Sequence, residues 1–572
     1  MSVVAVTRGH HYVVSAGHEL AALAAFEALD QGGNAIDAGV AAILTLQVVY
    51  SEQVSVAGVA PMIIHLAETG ELVTVAGVGG WPRALDPDAF IERHAGVIPL
   101  GVRRTVVPAA LDACLQALAR WGTMTFRDVA ARAVRYASGG FARHPVMLDY
   151  VRRYADDMRH WPDNVAIWMP GGEVPASGDQ LVQADLGSVL RFLYDEERAA
   201  GGDRKAGLEA VRRAFYRGDI ASRILAHQRS YDGLLAAEDL ESFRCQVAPT
   251  LSRRFRLRGE EVEVHTCGAW CQGPFLLEAL SIALAAGVAD MEYGSDAYLH
   301  AIAETLKLTF ADREGYLGDP DFVDVPLDML IGEAYTAARH KAIDPRHASP
   351  GMPLPGGIPG HAPFVPAFGT SEAPLQPPPD TSIVCVIDGQ GNGFCSTPSD
   401  TSWDTPVVPG TGFAVSARGA QSWAVRGHPS CLAPGKRPRL TPSPCFVLSP
   451  GRWIMPFGTP GGDVQIQANL QSLLNHLAFG MPIQDAVEAP RLVTHSHPDS
   501  FAPHLAHPGL LTIEGRIDEA TCDRLDARGH RIERLPDWTH WTGGVCAVRK
   551  DLETGEIEAA ADPRRWSRAM GW

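Results

Sequence analysis

Leu20, Leu23, Phe26 and Leu29 recur every three residues, the spacing of one helix face, and Gly32-Gly33 closes that helix as a C-terminal cap. Asn34 is placed to cap a second helix whose apolar stripe is Ile36, Val40, Ile43 and Leu44. Two short β-type runs, 62–65 and 72–75, follow around the turn residues Thr69-Gly70. From Pro108 to Leu225 the pattern is mostly helical, and 297–316 reads as another amphipathic helix closing on Gly318-Asp319-Pro320. Ten prolines between Pro350 and Pro379, with glycines among them, forbid a helix or a central strand. That stretch reads as an exposed linker. Directly behind it, 381–387 reads as a strand, 388–392 as a turn and 393–397 as a returning strand. Strands and one helix alternate from there to the C-terminus, with no internal repeat.

At 572 residues the chain is too long for a single apolar core. With 46% apolar and 20% charged residues it has the balance of a folded globular protein. The formal charge of −17 repels phosphate backbones and argues against nucleic-acid partners. No apolar stretch has the length of a membrane span, and residues 1–8 lack the basic head and apolar run of a secretory signal, so a cytoplasmic location is expected. Ten cysteines are too few for a disulfide scaffold and fit a reducing compartment. Cys267 and Cys271 are spaced poorly for zinc and read as buried thiols.

GxSxG, HExxH and GxxxxGK[ST] motifs are absent, and Gly77-Val78-Gly79-Gly80 is not a dinucleotide fingerprint. What remains is Thr381, a threonine opening a strand behind the linker. If the chain is cut between Asp380 and Thr381, that residue gains a free α-amine with an ordinary pKa of about 7.7–8.0, able to serve as base for its own hydroxyl. On spacing alone, threonine is simply a common strand residue. A second feature is the glycine-rich turn Phe457-Gly458-Thr459-Pro460-Gly461-Gly462-Asp463, whose backbone N–H groups can converge on an oxyanion. Taken alone it is also an ordinary strand-to-helix turn.

Together, a series of motifs resembles the γ-glutamyltranspeptidase family of N-terminal-nucleophile (Ntn) hydrolases, in family order over nearly the whole chain. The series runs through Gly32-Gly33-Asn34-Ala35-Ile36-Asp37-Ala38, Phe215-Tyr216-Arg217-Gly218-Asp219 and Phe310-Ala311-Asp312-Arg313. It continues through Tyr316-Leu317-Gly318-Asp319-Pro320, Pro409-Gly410-Thr411-Gly412-Phe413, Ala433-Pro434-Gly435-Lys436-Arg437-Pro438, the glycine turn and Asp562-Pro563-Arg564. The resemblance implies an α/β (α+β) four-layer αββα sandwich made as an inactive precursor. It implies a large subunit drawn from residues 1–348, a Pro/Gly-rich linker 349–380 ending at the cleavage site Asp380–Thr381, and a small subunit 381–572. The two fragments are expected to stay associated, with a dimer of such units as a further expectation. By the same resemblance Thr381 is the nucleophile, Ser399 a supporting hydroxyl, Gly461 and Gly462 the oxyanion donors, and Thr441 a residue near the substrate.

Where γ-glutamyl enzymes of the family hold the substrate carboxylate with arginine, this chain has Val78; where they hold the amine with aspartate, it has Gln421. Neither side chain suits that role. The stretch Ser416-Ala417-Arg418-Gly419-Ala420 resembles the family branch that includes oxamate amidohydrolases, with Arg418 as replacement carboxylate anchor and Arg83 and Arg439 as lesser candidates. The expected function is cleavage of a small amide of an acidic substrate through a threonyl acyl-enzyme, with no cofactor and no membrane or nucleic-acid partner. The alternatives are a γ-glutamyltransferase or glutathione hydrolase, and an uncleaved relative acting as a binding protein. A metal hydrolase built on His495, His497, His504 and His507 is the main rival, but prolines between these residues favour a solvated loop without a metal.

Overall fold

The computed structural model describes residues 3–365, 367–375 and 381–572. The N-terminal helix pair forms as read, Glu19–Asp30 and Ala35–Val49. Asn34 accepts from the Ile36 and Asp37 N–H groups while Asp37 accepts from the Asn34 N–H, a complete capping box. Asp37 also takes the N–H groups of Thr123 and Met124 at 2.9 and 3.0 Å, so the cap fastens a distant loop.

Two seven-stranded antiparallel sheets form the middle of the molecule. One runs Thr7–Gly9, Ile557–Ala561, Cys546–Asp551, Trp453–Gly458, Cys445–Ser449, Glu260–Thr266, Leu251–Leu257. The other runs Arg568–Gly571, Val13–Ala16, Val384–Ile387, Gly393–Ser396, Met62–Leu66, Glu71–Val75, Val247–Pro249. Side-chain alternation along Val384–Ile387 shows why there are four layers. Cys385 and Ile387 point into an apolar cluster between the sheets, with Phe446, Ile454 and Val548. Val384 and Val386 point the other way, into a cluster with Ile43, Leu111 and the outer helices. The sheet holding Cys445–Ser449 and Trp453–Gly458 buries Val447 and Met455 against Leu280, Leu306 and Leu470 of its own helices. The result is helix, sheet, sheet, helix. Gly39 lets the helix Ala35–Val49 touch its sheet, because a Cβ there would lie 2.2 Å from the Phe394 ring.

Four readings change. The helix Asp296–Tyr316 is not amphipathic: from Tyr298 to Tyr316 every residue is buried, its acidic and basic side chains pairing inside the protein. The C-terminal region holds three α-helices among the described residues, Val464–Leu473, Ile483–Glu488 and Glu519–Ala527, not one. The strand read from 381 begins at Val384, with Thr381 and Ser399 joined by an isolated bridge in the same register. Pro398, opposite Ser382 and lacking an N–H, interrupts the ladder between them, although its carbonyl still accepts from the Ser382 N–H at 2.9 Å. The described portion of the linker is tied rather than loose. Gly356 N–H donates to Asp312 at 2.6 Å, Phe364 N–H to the Gly315 carbonyl at 3.0 Å, and Ser371 N–H to the Ala506 carbonyl at 2.9 Å. No helix among the described residues is long and apolar enough to cross a membrane.

Candidate active site

Thr381 and Ser399 face each other across the bridge, both buried, with their hydroxyl oxygens 2.9 Å apart. Ser399 is held from behind by paired backbone bonds to Val59, at 2.9 and 3.0 Å. Arg418, on the short helical turn Arg418–Gln421, donates to the Ser399 hydroxyl. Its guanidinium is 1% exposed, lies 3.9 Å from the Asp400 carboxylate and sits over the Phe501 ring. Burial pushes the Asp400 carboxyl up to about 6, against the pull of Arg418 and the Ser416 hydroxyl.

The glycine turn ends the strand Trp453–Gly458 and starts the helix Val464–Leu473. Gly461 and Gly462 have φ of 121° and 56°, the region open to glycine. Their carbonyls accept from Val464 and Gln465, while among the described residues no acceptor meets their own N–H groups. Gln272 joins this turn to the substrate-side candidates, donating to the Thr441 carbonyl at 2.9 Å and the Gly462 carbonyl at 3.2 Å. Gln421 donates to the Thr441 hydroxyl at 2.7 Å.

Thr381, Ser399, Arg418, Gln421, Thr441, Gly461 and Gly462 are therefore linked by a short chain of contacts. Val78 is not among them: it packs in the apolar cluster between the sheets. Arg83 pairs with Glu238 at an exposed position, and Arg439 is committed to Glu314 at 2.7 Å. Asp380 lies outside the described residues.

Several polar residues at the site were not among the candidate site residues read from the sequence. Gln465 is fully buried; its Oε1 accepts the Ser443 N–H at 3.0 Å, which turns its NH2 toward the Thr381 hydroxyl, 3.5 Å away. Arg313 donates to Gln272 and pairs with Glu314 and Asp463. Burial would raise the Glu314 carboxyl, but Arg439 and Arg313 outweigh it and hold it well below the ordinary range. Asp463 in turn accepts from the Ser500 N–H and hydroxyl at 2.7 and 2.6 Å. The Phe310-Ala311-Asp312-Arg313 motif supplied the arginine; the glutamines stand in no pattern that distinguishes them from surface amides.

The histidine segment is a correction: it is not a solvated loop. His497 and His504 are buried, stacked on Phe310 and Trp423 at 3.6 and 4.1 Å. His504 reaches the Ser422 carbonyl at 3.0 Å and His495 the Thr512 hydroxyl at 3.0 Å. Burial lowers all three imidazoles, to about 3 for His495 and about 4 for His497 and His504. Among the described residues, metal-like clustering occurs elsewhere, at His300, Glu304 and His530, where Glu304 is already bonded to Lys307 at 2.7 Å.

Residues 21–572 match the family model described as gamma-glutamyltranspeptidase. A Bacillus subtilis (strain 168) protein named glutathione hydrolase-like YwrD proenzyme is 28% identical, covering 98% of this chain and 99% of its own length. The solved structure of LmbA2991HD superposes with a TM-score of 0.91 at 32% identity, covering 100% of both chains. Cephalosporin acylase from Bacillus halodurans superposes with a TM-score of 0.83 at 25% identity, covering 100% of this chain and 98% of that one.

Proposed function

This chain belongs to the γ-glutamyltranspeptidase family and is a hydrolase of amide bonds, and from that premise we propose that it is a self-processing enzyme working through an acyl-enzyme on Thr381. The observation that carries the reading is the buried Thr381–Ser399 hydroxyl pair, 2.9 Å apart. In maturation the Thr381 hydroxyl attacks the carbonyl carbon of Asp380. The C–N bond breaks, the nitrogen leaves as the Thr381 α-amine, and the resulting ester is opened by water. The freed amine is then the base that the chemistry needs.

In turnover the same hydroxyl attacks a substrate amide carbon, its proton passing to the α-amine and on to the leaving amine. Water deacylates the enzyme by the reverse path. The N–H groups of Gly461 and Gly462 are assigned to the tetrahedral oxyanion, each worth about 3 kcal/mol. Arg418 gives the hydroxyl pair a cationic neighbour, which favours an acyl group with a carboxylate or other acceptor close to the scissile carbonyl. Val78 and Gln421 remove the charges a γ-glutamyl group would need, so glutathione is the poorer candidate. The name proenzyme on the Bacillus relative supports the processing step.

Mass spectrometry of purified protein tests this directly. Two fragments meeting between Asp380 and Thr381 are expected, with Thr381→Ala uncut and inactive and Thr381→Ser retaining some of both. Full activity in an uncut chain, or in Thr381→Ala, would overturn the reading.

A further inference from the structure

A cavity of about 330 Å³ opens beside the site, and none of the catalytic and substrate-side candidates linked above lines it. Its wall holds Tyr154 and Trp403, stacked at 4.1 Å and 10°, together with Phe501, Val493 and Leu505. Two of its lining residues neighbour the site. Phe501 is the ring over Arg418, which donates to Ser399, and Asp463 is the residue after Gly462.

The chain upstream of the scissile bond also contributes to this wall. Ser371, Ala373, Pro374 and Leu375, among the last described residues before the bond, line the cavity, and the strap is held there by a parallel bridge between Thr370 and Ala506. The Thr381 hydroxyl must attack the Asp380 carbonyl in maturation and the substrate carbonyl in turnover. Both attacks end in an ester on the same Thr381 oxygen, so the chain leading up to Asp380 marks the side on which a substrate's acyl group lies.

We propose that this cavity is the acyl-side pocket and takes an aromatic or branched apolar acyl chain, a reading that rests on Thr381 being the nucleophile. The size suits it: a cavity of about 150 Å³ holds benzene, and this one is about 330 Å³. So does the charge. Among the described residues no lysine or arginine lines the wall. Its histidines, His495, His497 and His507, are all lowered by burial and so are neutral at pH 7. Asp463 is committed to Arg313 and Ser500, and burial followed by Asp463 raises Asp499 to about 7. Such a wall offers little to the paired charges of a γ-glutamyl group and much to a ring.

Matched p-nitroanilides test the proposal: phenylacetyl, acetyl and γ-glutamyl, with the cleaved protein. Phenylacetyl is expected to exceed both others in kcat/KM by about tenfold or more. Leu505→Trp, which fills the cavity, and Trp403→Ala, which removes the stack, should each lower the phenylacetyl-to-acetyl ratio by about tenfold, with self-cleavage reporting that each variant folds. Equal rates on phenylacetyl and acetyl, a γ-glutamyl preference, or an unchanged ratio in both variants would overturn the pocket. Activity surviving in Thr381→Ala would instead overturn the nucleophile on which the pocket rests.

Discussion

Gln465 has one orientation available to it. The Ser443 N–H requires its oxygen, so its NH2 must face the Thr381 hydroxyl. A donor there opposes any tendency of that hydroxyl to spend its own proton on Gln465, leaving the proton for the α-amine. Gln465→Ala should therefore lower kcat about tenfold or more with little change in KM, because the lost contact strengthens as charge develops on the oxygen. Gln465→Glu should be worse and should move the acid limb of the pH–rate profile upward, since a carboxylate beside the α-amine favours its protonated form. A fall in kcat/KM through KM alone would mean that Gln465 only shapes the pocket. Arg418→Ala is expected to raise KM for anionic acyl groups more than for neutral ones; equal effects would remove its charge from recognition. At this scale Thr381 and Ser399 were legible because ordered family motifs carried them, whereas Gln465 and Gln272 were not. Their roles depend on partners 22 and 169 positions away in the chain.

The elements around the site are fixed by buried ion pairs, and these set their response to acid. Asp562 pairs with Arg491 at 2.7 Å and Arg564 at 3.0 Å, joining the end of the strand Ile557–Ala561 to the residues after the helix Ile483–Glu488. Burial would raise the Asp562 carboxyl, but Arg491 and Arg564 draw it down from 3.8 to about 2. The folded state therefore holds the proton less tightly than the unfolded chain. The resulting stability, about 2 kcal/mol by linkage, is fully present above pH 4 and disappears as pH falls toward 2. Asp562→Ala should cost about 3 kcal/mol at neutral pH, because the buried Arg491 guanidinium loses its carboxylate partner while Arg564 keeps Glu514. It should also flatten acid unfolding between pH 4 and 2, measured by denaturant titration at several pH values. An unchanged midpoint would show that water takes over the pairing. Such pairs also explain why the helix Asp296–Tyr316 misled the pattern reading. Glu304, Lys307, Arg313 and Glu314 are polar in sequence yet satisfied inside, so polarity did not mark an outer face.

Across the whole molecule, the proposed cut falls where it separates no layer. One sheet places Val13–Ala16 between Arg568–Gly571 and Val384–Ile387, and the other places Ile557–Ala561 against Thr7–Gly9. Both sheets thus mix chain from before and after residue 380. The helix pair and the hairpin Met62–Val75 were readable from local periodicity. This interleaving was not, because pairing partners such as Val14 and Met570 leave no local trace in the pattern. Its consequence is that hydrolysis of one peptide bond removes a loop constraint but no strand pairing and no buried contact of the two sheets. The cleaved protein should elute natively as one species, separate into two fragments only in denaturant, and unfold in a single transition at the same midpoint by circular dichroism and by tryptophan fluorescence. Separate transitions, or a fragment 381–572 that leaves the complex in native buffer, would contradict the shared-sheet argument. By the same argument, neither fragment expressed alone should fold: 1–380 would lack the middle strands of both sheets, and 381–572 would lack Val13–Ala16 from the middle of one sheet and the flanking strands of the other.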